Sequence, residues 1–155
     1  MTTTTTVLIA ILGIAGFVGL WCGVILLLAV TSGWSSLARR YRGRLPESEG
    51  EYQVTMGSAQ IGWVTYNNIV NVSAGPLGVE MSLFPLFAIG APALAFPWQA
   101  LGDHRRGRAM GMFDRFSFSV DGDVTITLGG GAARMMDDAW KKWAHPHSRR
   151  AEAPT

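Results

Sequence analysis

The residues of this chain whose types could support chemistry are few and scattered. Three histidines occur, His104 in a basic segment and two others flanking Pro146, and none has a carboxylate or thiol at zinc-ligand spacing. The only cysteine, Cys22, lies within an apolar run, and no nucleophile elbow is present. The types and spacing of these residues therefore predict no metal site, no cofactor and no enzymatic activity.

Two motifs that resemble ligand loops are better explained as structure. Asp121-Gly122-Asp123 lacks the spaced oxygens and distal glutamate of an EF-hand, and the alternating apolar residues on both sides of it predict a tight β-hairpin. Gly129-Gly130-Gly131 lacks the lysine and spacing of a phosphate-binding loop. We interpret it as the joint between a strand and a following helix.

A basic segment at residues 104–108 is the densest charge feature in the second half of the chain. Its arginines are Arg105, Arg106 and Arg108. The ordinary interpretation is a solvated loop, and the functional alternative is a contact with anionic headgroups or with an acidic partner. Nucleic-acid binding is disfavoured because no aromatic residues are interleaved with the basic ones.

An apolar run near the N-terminus is the element that would hold the rest of the chain at a membrane. Residues 7–30 carry no charge and would span about 36 Å as a helix, which is enough to cross a bilayer. A cleaved signal peptide is the competing interpretation, but the run is long and no basic residue precedes it. We predict a single transmembrane anchor within residues 1–44.

A collar of aromatic and basic residues follows the run. Trp34, Leu37, Ala38 and Tyr41 share one helical stripe, which predicts that the helix continues past the membrane. The predicted membrane-interface residues are Trp34, Arg39, Arg40, Tyr41, Arg42 and Arg44. The positive-inside rule then predicts an outside N-terminus and a cytoplasmic domain in a bacterial inner membrane, although four arginines bias this orientation without fixing it.

Small residues recur every fourth position within the anchor. Ala15, Gly19 and Gly23 form a small-xxx-small row, which lets helix backbones approach closely in lipid. We predict that this row packs against a transmembrane helix of another subunit; the alternative is that glycine is simply common in such helices.

The remainder of the chain predicts a small β domain. Residues 45–50 form a polar linker, and strands are predicted at 52–56, 63–66, 69–73, 79–84, 93–96, 116–120 and 124–128, with Asn67-Asn68 as an interruption. Residues 132–144 have a helical apolar stripe, and the tail from 146 is polar. The predicted fold is α+β: an N-terminal transmembrane helix, then an antiparallel sheet or barrel over residues 51–145, closed by a C-terminal helix.

One stretch of this domain carries a resemblance. Short motifs between Gln53 and Leu101, such as Gly75-Pro76-Leu77-Gly78-Val79 and Phe96-Pro97-Trp98, resemble a group of uncharacterised bacterial single-span membrane proteins. The strand pattern also loosely resembles pleckstrin-homology and GRAM-like domains, in which a helix closes the barrel. The resemblance implies a membrane-anchored domain that binds lipid or protein surfaces.

Two functions from different classes fit these predictions. The first is a non-enzymatic accessory subunit that stabilises a larger membrane complex, with photosynthetic or respiratory complexes as natural hosts by analogy. The second is a membrane-tethered, pleckstrin-like module that binds lipid headgroups or a signal. The partners expected are membrane lipids and the transmembrane helices of other subunits.

Overall fold

The computed structural model describes residues 3–45 and 51–144. Within them lie three α-helices, α1 (Thr3–Thr31), α2 (Trp34–Tyr41) and α3 (Gly130–Ala139). The seven strands are β1 (Tyr52–Ile61), β2 (Val64–Gly75), β3 (Gly78–Leu83), β4 (Leu94–Pro97), β5 (Leu101–Ala109), β6 (Phe113–Val120) and β7 (Val124–Gly129). Short 3₁₀ turns lie at Pro85–Phe87 and Trp98–Ala100, and a π-helical turn, Trp140–Ala144, follows α3. The tail predicted from 146, and all of the predicted linker except Leu45, lie outside the described residues.

The strands form one antiparallel sheet in the order β4-β3-β2-β1-β7-β6-β5. Two meanders, β1 to β4 and β5 to β7, are joined where the first strand pairs with the last. The sheet curls into a half-barrel that leaves β4 and β5 as its edges, and α3 packs against β1 and β6. The predicted antiparallel sheet with a C-terminal helix is confirmed.

Alternating apolar residues explain the core. Phe116, Phe118 and Val120 of β6 are buried, as are Ile126 and Leu128 of β7. Strand side chains alternate between faces, so these residues line the concave side under α3.

The hairpin that joins β6 to β7 confirms the Asp-Gly prediction. Asp121 has φ +52° and Gly122 has φ +74°. Both residues are therefore left-handed, as the two central positions of a type I′ turn require, and the Asp123 amide closes the turn by donating to the Val120 carbonyl at 3.1 Å. Because Val120 pairs with Val124, Asp123 is a third residue between the two strands.

Two strand predictions were wrong. Asn67-Asn68 does not interrupt a strand: β2 continues through it, Asn68 adopts φ +55°, and the facing β1 absorbs the irregularity as register shifts between Val54 and Ala59. Residues 104–108 are not a loop, because they belong to β5, which pairs with β6 from Leu101 to Ala109. Charged residues gave no strand signal there, although charge is common on edge strands because it discourages aggregation.

The N-terminal helix α1 is long and apolar enough to cross a membrane. Only 6% of its most apolar 18-residue window is buried, so it is not the core helix of this fold. Its buried residues, Ile25 and Ala29, lie near its C-terminal end, where it meets the β domain.

The helix does not continue through the aromatic stripe as predicted. It ends at Thr31, and Gly33 adopts φ +89° before α2 begins at Trp34. Trp34 and Leu37 of α2 then enter the core of the β domain, at 0% and 4% exposure. The anchor predicted over residues 1–44 is therefore divided, because residues from about 32 onward pack as part of the β domain.

Candidate functional site: the joint between α1 and the β domain

The joint is built from Thr31, the last residue of α1, and from Ser32 and Gly33, which separate α1 from α2. The Thr31 hydroxyl donates back to the Leu27 carbonyl at 2.8 Å, and the Ser32 hydroxyl donates to the Ala29 carbonyl at 3.4 Å. The Ser32 bond, together with one from Ser35 Oγ at 3.2 Å, satisfies the Ala29 carbonyl, which has no partner within α1, whereas the Thr31 bond is a second contact to a carbonyl of the last helical turn. Glycine at position 33 makes the left-handed backbone inexpensive, so the chain can change direction there.

Trp34 fixes the joint to the β domain. Its indole Nε1 donates to the Pro92 carbonyl at 3.0 Å, and its ring meets Tyr66 edge-on at 5.8 Å between centroids. The Tyr66 hydroxyl donates to Ser32 Oγ at 3.0 Å, and this oxygen also accepts from the Trp34 amide at 3.3 Å. Burial raises the pKa of Tyr66 and outweighs the hydrogen bond to Ser32, which lowers it. The Tyr66 hydroxyl therefore keeps its proton at neutral pH and can donate this hydrogen bond.

The β1–β2 turn presses on the joint from a second side. The Trp63 indole Nε1 donates to the Thr31 carbonyl at 2.9 Å, although the residue is 68% exposed. A Cβ at Gly62 would lie 2.9 Å from the Ser32 carbonyl oxygen, so a side chain there would force the turn away from α1. Sequence reasoning missed Ser32, Tyr66 and Trp63; the Ser-Gly pair directly after the apolar run was the available signal.

Ion pairs hold α2 against the sheet. Arg40 Nη1 lies 3.2 Å from Asp121 Oδ2 and 3.5 Å from Asp123 Oδ2, and the Tyr41 hydroxyl donates to the same Asp121 oxygen at 2.6 Å. Burial and the Asp121 contact raise the pKa of Tyr41 to about 12. The Tyr41 hydrogen bond, followed by Arg40, lowers the pKa of Asp121. Arg44 Nε lies 3.8 Å from Glu80 of β3.

These contacts change the interpretation of the predicted collar. Trp34 was expected at the membrane interface, but a fully buried side chain cannot contact headgroups, so this assignment was wrong. Arg40, Tyr41 and Arg44 contact the β domain, and the headgroup role predicted for them is untested. Arg39 and Arg42 are exposed, and no ion pair joins them to another described residue.

The basic segment is divided between the two faces of β5. Arg106 lies opposite Phe116 on the concave face and forms an ion pair with Asp137 of α3. Arg108 lies on the same face, 3.7 Å from Asp114. Arg105 lies opposite Ser117 on the other face. The three arginines therefore do not form a single exposed patch.

The row of small residues in α1 is open. A Cβ added at Gly19 or Gly23 would have no neighbour within 4 Å. At 100° per residue, Ile25 and Ala29, the buried residues of α1, lie roughly 120° and 80° around the helix from Gly19, and Trp21, which contacts Phe87, lies roughly 160° from it. The predicted packing row is thus exposed and offset from most of the residues through which α1 meets its own domain, whereas Leu26, which approaches Gly90, lies roughly 20° from Gly19.

A cleft of about 530 Å³ lies beside the start of α3, between β1, β2, β6 and β7. Its ionisable lining residues are Asp114 and Arg115, and Asp114 is shared by Arg108 and Arg134 at 3.7 and 3.8 Å. The described part of its wall contains no base paired with a nucleophile.

Comparisons with protein-family models, with curated proteins and with solved structures gave no match.

Proposed function

We propose that this chain is a single-span protein of a bacterial inner membrane and a non-enzymatic accessory subunit of a larger membrane complex. α1 crosses the bilayer, the N-terminus is outside, and the β domain lies at the cytoplasmic surface. The observation that supports this most directly is that α1 is exposed along most of its length yet ends in a joint buried in the β domain. An anchor that served only as a tether would not need such a joint.

The geometry also supports a division of labour within the anchor. The C-terminal part of α1 meets its own domain through residues such as Trp21, Ile25 and Ala29. The row of Ala15, Gly19 and Gly23 lies further toward the N-terminus, and a Cβ added at either glycine would have no neighbour within 4 Å, so this row is open to another helix. Close packing against small residues is the main route to helix association in lipid, where the hydrophobic effect contributes little between helices. The row is therefore the proposed contact with a transmembrane helix of the host complex.

The rival proposal is a pleckstrin-like module that senses anionic headgroups through Arg105, Arg106 and Arg108. The meander capped by α3 is compatible with such a fold, but Arg106 and Arg108 are each within ion-pair distance of a carboxylate of their own domain. Coordinated headgroup binding would require these pairs to break. The accessory-subunit proposal needs no such rearrangement.

The test is extraction from the native membrane in mild detergent, followed by a native gel and mass spectrometry of the co-migrating proteins. We expect the wild type in a large stoichiometric assembly. The double substitution Gly19→Leu and Gly23→Leu should release the chain from this assembly, because leucine side chains would hold the backbone of α1 away from that of the partner helix. Gly13→Leu is the matched control: a Cβ there also has no neighbour within 4 Å, and the position is about 120° around the helix from Gly19.

Migration of the wild type as a lone small species would refute the accessory-subunit proposal. Arg105→Glu then tests the rival, since Arg105 lies on the opposite face from the two ion-paired arginines. Loss of binding to anionic liposomes by this variant would support headgroup recognition, and unchanged binding would refute it.

A further inference from the structure

The segment between β3 and β4, residues 84–91, is an apolar shelf beside α1. Its sequence, Phe-Pro-Leu-Phe-Ala-Ile-Gly-Ala, contains no charged or hydrogen-bonding side chain. Phe84, Leu86 and Ile89 are 42%, 58% and 38% exposed, so the shelf presents large apolar side chains outward. Apolar residues grouped in this way on a domain surface usually mark an interaction site.

The shelf lies directly against the apolar helix. The ring of Phe87 is 5.6 Å from that of Trp21, centroid to centroid. Gly90 faces Leu26 so closely that an added Cβ would lie 2.3 Å from its Cδ2 atom, and Gly90 has φ +72°. The shelf therefore extends along the side of α1 from the level of Leu26 to that of Trp21.

These contacts set the depth of the shelf relative to a membrane. Trp21 is ten residues before Thr31, or about 15 Å along the helix axis, and all 29 residues of α1 span about 43 Å. A hydrocarbon core of about 30 Å needs roughly 20 of them, which leaves the C-terminal end of α1 outside the core. If the core begins at Val7, it ends near Leu26, and Phe87 lies several ångströms within it.

Polar and amphipathic groups mark the neighbouring level. Trp63 contacts Thr31 at the end of α1, where a tryptophan ring suits the headgroup layer. Beyond the shelf, the backbone of Arg42 forms an isolated antiparallel β-bridge with Leu94, and the Gly43 amide donates to the Ala93 carbonyl at 3.1 Å. An exposed arginine thus lies where the shelf returns to the sheet, and an arginine beside an inserted apolar segment is suited to contact anionic headgroups.

We propose that the shelf is inserted into the bilayer beside α1, so that the β domain is held to the membrane by two elements. The occupant of the exposed apolar surface is lipid acyl chain, because the shelf is continuous with the face of α1 at hydrocarbon depth. An interfacial element of this kind buries apolar side chains about 5–10 Å below the headgroups. The inference rests on the proposed membrane span of α1.

The experiment measures the environment of a nitroxide label on the full chain in vesicles of phosphatidylcholine and phosphatidylglycerol. The only cysteine is removed by Cys22→Ser, and single labelling sites are introduced as Leu86→Cys in the shelf, Leu12→Cys in α1 and Leu77→Cys in the β2–β3 turn. Leu77 is the matched control: it is a leucine outside the strands with 48% exposure, and it lies beyond the far end of β2, at most about 36 Å from Trp63. Collision rates with oxygen, which concentrates in lipid, are compared with those of a water-soluble nickel chelate.

We expect oxygen to exceed the nickel chelate at Leu86 and Leu12, and the reverse at Leu77. Nickel accessibility at Leu86 equal to that at Leu77, with Leu12 in lipid, would overturn the shelf proposal and leave the membrane span intact. Protection of Leu86 from both reagents would also overturn it, because protein would then cover the shelf. Nickel access at Leu12 would refute the span itself, and with it the proposal.

Discussion

Removing the Trp34 side chain should destabilise the whole β domain, although this residue follows the apolar helix by only three positions. Its side chain is 0% exposed, and truncation of a buried tryptophan to alanine costs about 3–5 kcal/mol. The hydrogen bond to the Pro92 carbonyl contributes about 1 kcal/mol of this. We expect Trp34→Ala to lower the free energy of unfolding by about 4 kcal/mol, a roughly thousandfold change in the folding equilibrium.

Urea unfolding of the full chain in a mild detergent measures this effect. Near-ultraviolet circular dichroism reports the packed aromatic residues of the β domain, whereas α1 remains helical in the micelle. With a slope of about 1.5 kcal/mol per molar urea, the midpoint should fall by about 2.7 M. Trp63→Ala is the matched control, because Trp63 makes one hydrogen bond to the joint but is mostly exposed. Its cost should stay below about 1 kcal/mol.

Equal midpoints for the two variants would refute the reasoning. Trp34 would then not belong to the core, and α2 would lie on the membrane surface, as the sequence pattern predicted. The comparison therefore separates a joint that is folded into the β domain from an amphipathic collar.

Three further outcomes can be measured on the same preparation. Because the pKa of Tyr41 is raised to about 12, the folded state keeps the hydroxyl proton at a pH where the unfolded chain has lost it. The free energy of unfolding should therefore fall as the pH rises from about 10 to about 12, and Tyr41→Phe should flatten that dependence. The pKa of Asp121 is lowered, so its contribution should be present above about pH 4 and lost as pH falls through the folded value; Asp121→Asn should remove this acid-side loss in a pH series of urea midpoints. In thermal melts Gly78→Ala should cost more than 1 kcal/mol, because its Cβ would lie 2.0 Å from the Phe96 carbonyl oxygen, whereas Gly107→Ala, with no neighbour within 4 Å, should change the melting temperature little.

Local patterns predicted the elements whose signals are strong and contiguous. The long apolar run gave α1, the alternation around Asp121-Gly122 gave the β6–β7 hairpin, and the stripe after the glycines gave α3. These elements follow from side-chain periodicity and turn chemistry, which act over a few residues. Their prediction needed no knowledge of the tertiary structure.

The joint could not be predicted in this way because its partners are distant in sequence. Trp34 contacts Tyr66 and Pro92, which lie on other elements, and a stripe of Trp34, Leu37 and Tyr41 fits a membrane interface as well as a protein core. A helical stripe specifies which residues share a face but not what covers that face. The same ambiguity concealed β5, where charged residues of an edge strand have the composition of a loop.

The buried joint also makes the molecule a lever. With Ser32, Trp34 and Tyr66 packed together, the joint resists bending between α1 and the β domain, and the turn at Leu77 lies at most about 36 Å from the joint along β2. If α1 spans the membrane as proposed, a change of about 10° in its tilt would move that turn by up to about 6 Å, and transmembrane helices occupy a range of tilts several times larger. A neighbour that packs against α1 would then set the position of a surface outside the bilayer.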